Sequence, residues 1–268
     1  MISVSYALQT CDSFNNQIDL RYTGTPKKDV TIKCTTSFFR SLEYAANKNL
    51  NVQHNVIIFD DRSSDETFMY LHKLASKYSK NNISVTVKKT SKSGIMESIR
   101  ECYEWLLENG KDFVYQVQDD YLFSESCIYE IIEVWYQIYN ETKSHAIISP
   151  FNDHHLWLGS YRNRTTPRAI ICGTSRYWIQ YYDASCSFFT SANNFIKHWD
   201  YLEAFLRMPP TGDDQGNFEN TTINRIFVER GVLGLVPIPS LALHMQSEIE
   251  IDPYVDWKSW WDSVEIIK

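Results

Sequence analysis

The sequence lacks the features that mark several large classes of protein. In its 268 residues no apolar run approaches the roughly 20 residues that cross a bilayer. The N-terminus does not show the charged and then apolar pattern of a signal peptide. The net charge is −7 and no basic run occurs, which argues against a broad nucleic-acid surface. We therefore expect a cytoplasmic protein with no transmembrane segment and no nucleic-acid partner.

Paired cysteines are also missing. The six cysteines are scattered, without a Cys-x-x-Cys pair, and are predicted to be reduced thiols instead of a disulfide framework or a zinc site. Hydrophobic residues make up 43% of the chain, which is enough for a full core. Aromatic residues reach 15%, and Tyr and Trp often form the flat, partly polar surfaces that bind sugars.

Strand and helix patterns alternate through the first half of the chain. This alternation predicts an α/β fold with a mostly parallel central sheet flanked by helices. From Phe151 onward the pattern becomes irregular and aromatic, and no linker is evident. We predict a single domain, with 1–150 as one functional half and 151–268 as the other. The predicted strands of the first half are Ile2–Leu8, Asn55–Phe59, Ile83–Val87, Phe113–Val117 and Ala146–Ser149, and the predicted helices include Thr35–Asn47 and segments that begin near Ser63, Ile95 and Ser124.

Two of these predicted strands end in adjacent acids. The strand before Asp60 and Asp61 and the strand before Asp119 and Asp120 are both strongly apolar. In open α/β sheets ligands bind at the carboxyl ends of the strands. Hard carboxylate oxygens at such a place suit Mg²⁺ or Mn²⁺ on a phosphorylated substrate, although acids are also common in solvated turns. We predict that the two acidic pairs face one crevice.

A string of short motifs resembles the GT-A-fold glycosyltransferases of the broad family 2 kind. Ile57–Thr67 is similar to the family's Asp-Asp-Gly-Ser-x-Asp-Gly-Thr, with Arg62 and Glu66 at positions that are usually glycine. Val117–Asp120 lies where the family has Asp-x-Asp, with Gln118 in place of the first acid. Glu219–Pro237 resembles the family's Glu-Asp helix, its closing glycine and the strand that ends in proline, although Asn220 replaces the Asp. Ile2–Thr10 lies where the family has an apolar strand that ends in Pro-Thr, with Gln9 in place of the proline, and His244 lies where many members have a histidine after the late strand.

The resemblance implies a nucleotide-sugar donor, for which a UDP-sugar is expected, a glycan or other hydroxyl acceptor, and an inverting, metal-dependent transfer. Mn²⁺ or Mg²⁺ would be held by Asp120 and His244 and would bridge the diphosphate. The donor itself would be bound by Thr10, Asp60, Asp61, Ser93, Gly94 and Asp119.

The second half would supply the base and the acceptor site. An inverting transfer needs a base that takes the proton of the acceptor hydroxyl. Glu219 has the expected helix register, while Asp213 and Asp214 compete for this role a few residues earlier. The candidate stacking faces for the acceptor are Trp157, Tyr161, Tyr177 and Trp178.

Two other functions stay open at this point. A sugar nucleotidyltransferase also uses acids at strand ends and Mg²⁺, but it would need a glycine-rich phosphate loop, which Leu8–Ser13 lacks. A carbohydrate-binding protein that has lost catalysis would account for Gln118 and Asn220. Asp153, His154 and His155 could form a separate metal cluster, but no further ligand has a recognisable spacing.

Overall fold

The structure is a computed structural model. It describes residues 1–12, 24–48, 51–152, 167–184, 187–207, 215–246 and 251–267. Among these described residues no helix is long and apolar enough to cross a membrane.

The first half of the chain alternates between strands and helices, as the periodicity predicts. The helices of this half carry their apolar residues on one face and bury that face against the sheet. The elements are β1 (Ile2–Thr10), α1 (Lys27–Lys48), β2 (Val52–Asp60), α2 (Asp65–Tyr78), β3 (Ile83–Lys89), α3 (Ile95–Asn109), β4 (Phe113–Gln118), β5 (Tyr121–Phe123), α4 (Cys127–Thr142) and β6 (Ile147–Ile148).

The second half is built from shorter elements. Its longest described helices have only seven residues, so they depend on tertiary packing for their stability. The elements are β7 (Ile170–Cys172), β8 (Tyr177–Gln180), β9 (Phe188–Ser191), α5 (Ala192–Lys197), α6 (Trp199–Phe205), α7 (Gln215–Thr221), α8 (Arg225–Glu229), β10 (Gly234–Ile238), β11 (Ala242–His244) and α9 (Trp257–Ser263).

Within the described residues nine strands form one sheet, in the order β3-β2-β1-β4-β9-β6-β10-β8-β7. The pairs β3–β2, β2–β1 and β1–β4 are parallel, and β9 is antiparallel to both β4 and β6. Within this nine-stranded sheet all the strands except β8 and β9 therefore run in one direction, which confirms the predicted mostly parallel sheet. A separate two-stranded sheet pairs β5 with β11.

Several predicted boundaries are corrected. Helix α1 begins at Lys27, eight residues before the predicted start at Thr35, and Asp29 N–H already donates to the Pro26 carbonyl at 2.9 Å. Ser64, not Ser63, caps α2 by accepting from Thr67 N–H. The apolar spacing over 192–206 and over 218–230 predicts one helix in each segment, but the first breaks at His198 and the second breaks between α7 and α8.

The tryptophan-rich C-terminal segment packs on α1. Lys33 donates to the Trp261 carbonyl at 2.7 Å and lies over the indole ring, and Arg40 donates to the Ser263 carbonyl at 2.6 Å. The segment shares a small apolar cluster with residues of α1, β5 and β11. It therefore stabilises the positions of α1, β5 and β11, which carry or adjoin residues of the candidate site.

The burial of His54 makes the free energy of unfolding depend on pH. Nδ1 of His54 in β2 shares a hydrogen bond with the Tyr6 hydroxyl at 2.8 Å, and burial lowers the pKa of His54 to about 4. His54 therefore binds fewer protons in the folded state than in the unfolded state between pH 4 and 6.5, so its contribution to stability rises with pH across this window and is flat above it. We expect a change on the order of 2–4 kcal/mol in the free energy of unfolding.

Urea unfolding at several pH values measures this effect. His54→Gln should reduce the slope between pH 4 and 6.5 and leave the part that comes from the other histidines whose pKa burial lowers, whereas His72→Gln, at an exposed position of α2, should leave the slope unchanged. Equal slopes in the wild type and in His54→Gln would show that the charging of His54 does not limit stability.

Candidate active site

Two buried carboxylates, Asp60 and Asp61, lie at the end of β2 and accept hydrogen bonds from different residues. Thr10 donates to Asp60 Oδ1 at 3.0 Å, and Oδ2 has no hydrogen-bond partner among the described residues. Burial raises the pKa of Asp60, against the hydrogen bonds from Ser63 and Thr10. Asp61 accepts from Gly94 N–H at 2.9 Å and from Arg62 Nε at 2.8 Å.

Two backbone conformations shape this edge of the sheet. Arg62 has a φ of +64°, a left-handed conformation that favours glycine, and its side chain is held on Asp61. Gly94 has a φ of +117°, which only glycine adopts easily, and this turns its N–H toward Asp61. The loops after β2 and β3 therefore line an open cleft of about 600 Å³ that includes Asp61, Arg62, Thr90, Ser91, Lys92, Ser93 and Glu97.

At the end of β4, Asp119 is fully engaged with the start of the chain. It accepts from Cys11 N–H at 2.8 Å, from the Thr31 hydroxyl at 2.7 Å and from Lys27 Nζ at 2.7 Å. These contacts join β4 to the end of β1 and to the first turns of α1. Asp119 therefore positions these elements, and a contact with the donor remains a prediction.

Asp120 lies between two nitrogen-bearing side chains. Its Oδ2 is 3.5 Å from Lys27 Nζ, and its Oδ1 is 3.6 Å from His244 Nε2. Strand β11 holds His244 in place, because His244 is paired with Tyr121 and its ring stacks on that of Tyr121 at 4.6 Å. Asp120 and His244, predicted as one pair, thus lie side by side although 124 positions separate them in the sequence.

This pair fits a divalent cation in spacing and chemistry. Two ligands at about 2.1–2.2 Å from one ion lie roughly 3–4 Å apart, which covers the observed 3.6 Å. Within the described residues no group of three or more His, Cys, Asp or Glu could hold a metal, so the substrate would complete the coordination shell. One carboxylate oxygen and one imidazole nitrogen suit Mn²⁺ better than Mg²⁺, which takes oxygen ligands.

The residue that sequence reasoning missed is Lys27. Its side chain is 7% exposed and lies between Asp119 and Asp120. A lysine in the first turn of a helix opposes the helix dipole and needs a nearby anion. The Pro26-Lys27-Lys28 start of α1 was therefore a usable signal, and the two acids after β4 supply the anion.

The structure describes only some of the residues that are predicted to bind the acceptor or to act as the base. Glu219 is half-buried in α7, and Tyr177 is exposed on β8. Trp178 is a correction: its ring is 1% exposed within the main core cluster, because alternate residues of β8 face opposite sides of the sheet, so it cannot stack on an acceptor. Thr10 is likewise fully buried, and its hydroxyl donates to Asp60, so a contact of Thr10 with the donor remains a prediction. Trp157, Tyr161, Asp213, Asp214 and the Asp153-His154-His155 cluster lie outside the described residues.

Comparison with solved structures identifies the fold. The chain is similar to a protein from Bacillus anthracis described as a glucose-1-phosphate thymidylyltransferase in complex with a sucrose, with 12% identity over 99% of this chain and 98% of that chain and a TM-score of 0.51. It is also similar to a UTP-bound UGPase from Acinetobacter baumannii, with 11% identity over 93% and 90% of the two chains and a TM-score of 0.50. At this identity the likeness establishes a GT-A-like α/β fold and no activity.

Comparisons of the sequence add no relative. No family model matches the chain, and no curated protein matches it. The function must therefore be argued from the site.

Proposed function

We propose that the protein is a glycosyltransferase that takes its sugar from a nucleotide-sugar donor. One observation carries the proposal: two acidic pairs follow parallel strands β2 and β4, which flank β1 in one sheet, and β11 brings His244 to the second pair. Carboxylates at the carboxyl end of a sheet accept hydrogen bonds from base and ribose, or hold a cation that meets a diphosphate.

The proposed roles follow from the contacts. The cleft between the loops after β2 and β3 takes the nucleoside, with Asp61 and the Ser93-Gly94 turn as its wall. Asp60 Oδ2 is the acceptor atom of that pair without a partner among the described residues. Lys27 adds a positive charge beside Asp120, where the diphosphate would lie.

Asp120 and His244 are proposed to hold Mn²⁺, or Mg²⁺ with weaker fit. A divalent cation there would offset the charge that develops on the leaving diphosphate. Glu219 is proposed as the base that takes the proton of the acceptor hydroxyl, with Asp214 and Asp213 as the competing candidates. Tyr177 remains a candidate face for the acceptor, since its ring is exposed.

A second candidate is a sugar nucleotidyltransferase, which would join a nucleoside triphosphate to a sugar phosphate. The descriptions of the solved structures with this fold favour it over glycosyl transfer. The sequence between β1 and α1 favours glycosyl transfer, because Gly24 is the single glycine from Cys11 to Pro26 and a triphosphate loop needs several.

Product analysis distinguishes these candidates. With Mn²⁺ and a panel of nucleotide sugars, a glycosyltransferase slowly releases the nucleoside diphosphate even when water is the acceptor. A nucleotidyltransferase releases pyrophosphate from a nucleoside triphosphate and a sugar 1-phosphate. Release of pyrophosphate alone would overturn the proposal in favour of the second candidate, and binding of glycans without either product would identify a non-catalytic carbohydrate-binding protein.

A further inference from the structure

A cleft at the opposite end of the sheet has a basic lining. Its volume is about 320 Å³, and among the described residues that line it the charged or ionisable ones are all basic: Lys143, His145, Lys197, His198 and Arg230. The cleft lies where β6 and β10 begin and β9 ends, and Ser191 of β9 is paired with Phe113, the first residue of β4. The length of β4, roughly 15–20 Å, therefore separates this cleft from Asp119 and Asp120.

Helix ends account for part of this charge. Lys143, Lys197 and Arg230 lie at the C-terminal ends of α4, α5 and α8, where cations are favoured. Each macrodipole equals only about half an elementary charge, and less in helices as short as α5 and α8. Asp200 lies 3.5 Å from Arg230 and offsets one further charge. The two lysines keep the cleft positive in a protein whose net charge is −7.

His198 supplies an independent indication of a ligand. It is 2% exposed, and neither of its ring nitrogens has a hydrogen-bond partner within the part of the chain that the structure describes. Burial, together with Lys197 and Arg230, lowers the pKa of His198, so the neutral ring carries one N–H near pH 7. A buried donor without a partner is costly, and in native proteins it is usually satisfied by water or by a ligand.

We propose that this cleft is a second binding site, which takes the phosphate group of a small molecule. Lys143 and Lys197 would supply the charge, and His198 N–H would donate from the floor of the cleft. Exposed Ser144 and Asn193 offer further neutral donors at the rim. The volume lies at the lower end of the range for small-molecule sites, so a phosphorylated monosaccharide fits better than a nucleotide sugar.

An NMR titration that follows the histidine ring signals tests the proposal. His198 reports on the proposed second site, and His244 reports on the candidate active site. Inorganic phosphate and glucose 1-phosphate are titrated into the full chain in separate arms, with chloride held constant. We expect saturable shifts of the His198 ring signals with a Kd of about 1 mM or tighter. His198→Gln and His244→Gln assign the signals of the two sites.

A charge variant and its control complete the test. Lys197→Ala, at an exposed position, should weaken phosphate binding about tenfold, as expected for a lost charge-assisted hydrogen bond. Lys258→Ala removes an equally exposed lysine of α9 and should leave the Kd unchanged. Shifts confined to His244, or equal effects of the two variants, would overturn the proposal, and a response to only one of the two probes would identify the ligand.

Discussion

Replacing Lys27 by Met should lower the free energy of unfolding by about 3–5 kcal/mol and the melting temperature by roughly 10 °C. The ammonium of Lys27 contacts Asp119 at 2.7 Å, and both side chains are less than a tenth exposed. Met keeps the length of the side chain and removes its charge, which leaves a buried carboxylate without its cation. Differential scanning calorimetry of the two proteins measures the effect.

The adjacent residue provides a matched control. Lys28 pairs with Glu66, whose side chain is 74% exposed, and such surface pairs contribute at most about 1 kcal/mol. Lys28→Met should therefore change the melting temperature by only a few degrees. Adding Asp119→Asn to Lys27→Met should recover part of the lost stability, because it removes the unpaired charge. Equal losses in Lys27→Met and Lys28→Met would contradict the ion-pair account.

Replacing Asp120 by Asn should lower the rate of nucleotide release from a nucleotide sugar at least about 100-fold. The amide keeps the shape of the side chain but removes the negative charge that Lys27 and His244 face. If Asp120 holds the cation, the concentration of Mn²⁺ that gives half-maximal rate should also rise. Steady-state rates over a range of Mn²⁺ concentrations measure both quantities.

Glu125→Gln is the control for this effect, since Glu125 is an exposed acid just after β5. It should leave both the rate and the Mn²⁺ dependence unchanged. Thermal unfolding of Asp120→Asn shows whether a loss of activity comes from the missing carboxylate or from a loss of the folded structure. A folded Asp120→Asn protein with full activity would rule out the metal role of Asp120.

Local patterns in the sequence were sufficient to predict the strands and helices of the first half of the chain. The apolar strands predicted before Asp60 and before Asp119, and the helix predicted to begin near Ile95, match β2, β4 and α3 within a few residues. Their apolar periodicity is local and strong, because both faces of the central strands are buried. The proximity of Asp120 and His244 came only from the family resemblance, since no local pattern links β5 to β11.

Other features depend on contacts that the sequence does not display. Lys27 lies next to Asp119 only because α1 packs beside the end of β4, so its role required the fold. Strands β5, β7 and β11 have three residues each, too few to show an alternation. Trp178 was predicted to be a binding surface because it is aromatic, but the position of the residue in β8 directs its ring into the core.

A thermal-shift screen of nucleotide sugars, with and without Mn²⁺, tests the central claim most directly. At about 100 times its Kd, a donor that binds the folded state adds about 2.7 kcal/mol and should raise the melting temperature by roughly 5–10 °C. We predict such a rise for at least one nucleotide sugar, a larger rise with Mn²⁺, and its loss in Asp61→Ala. No rise with any nucleotide sugar, or an equal rise in Asp61→Ala, would contradict a donor site at the ends of β2 and β4.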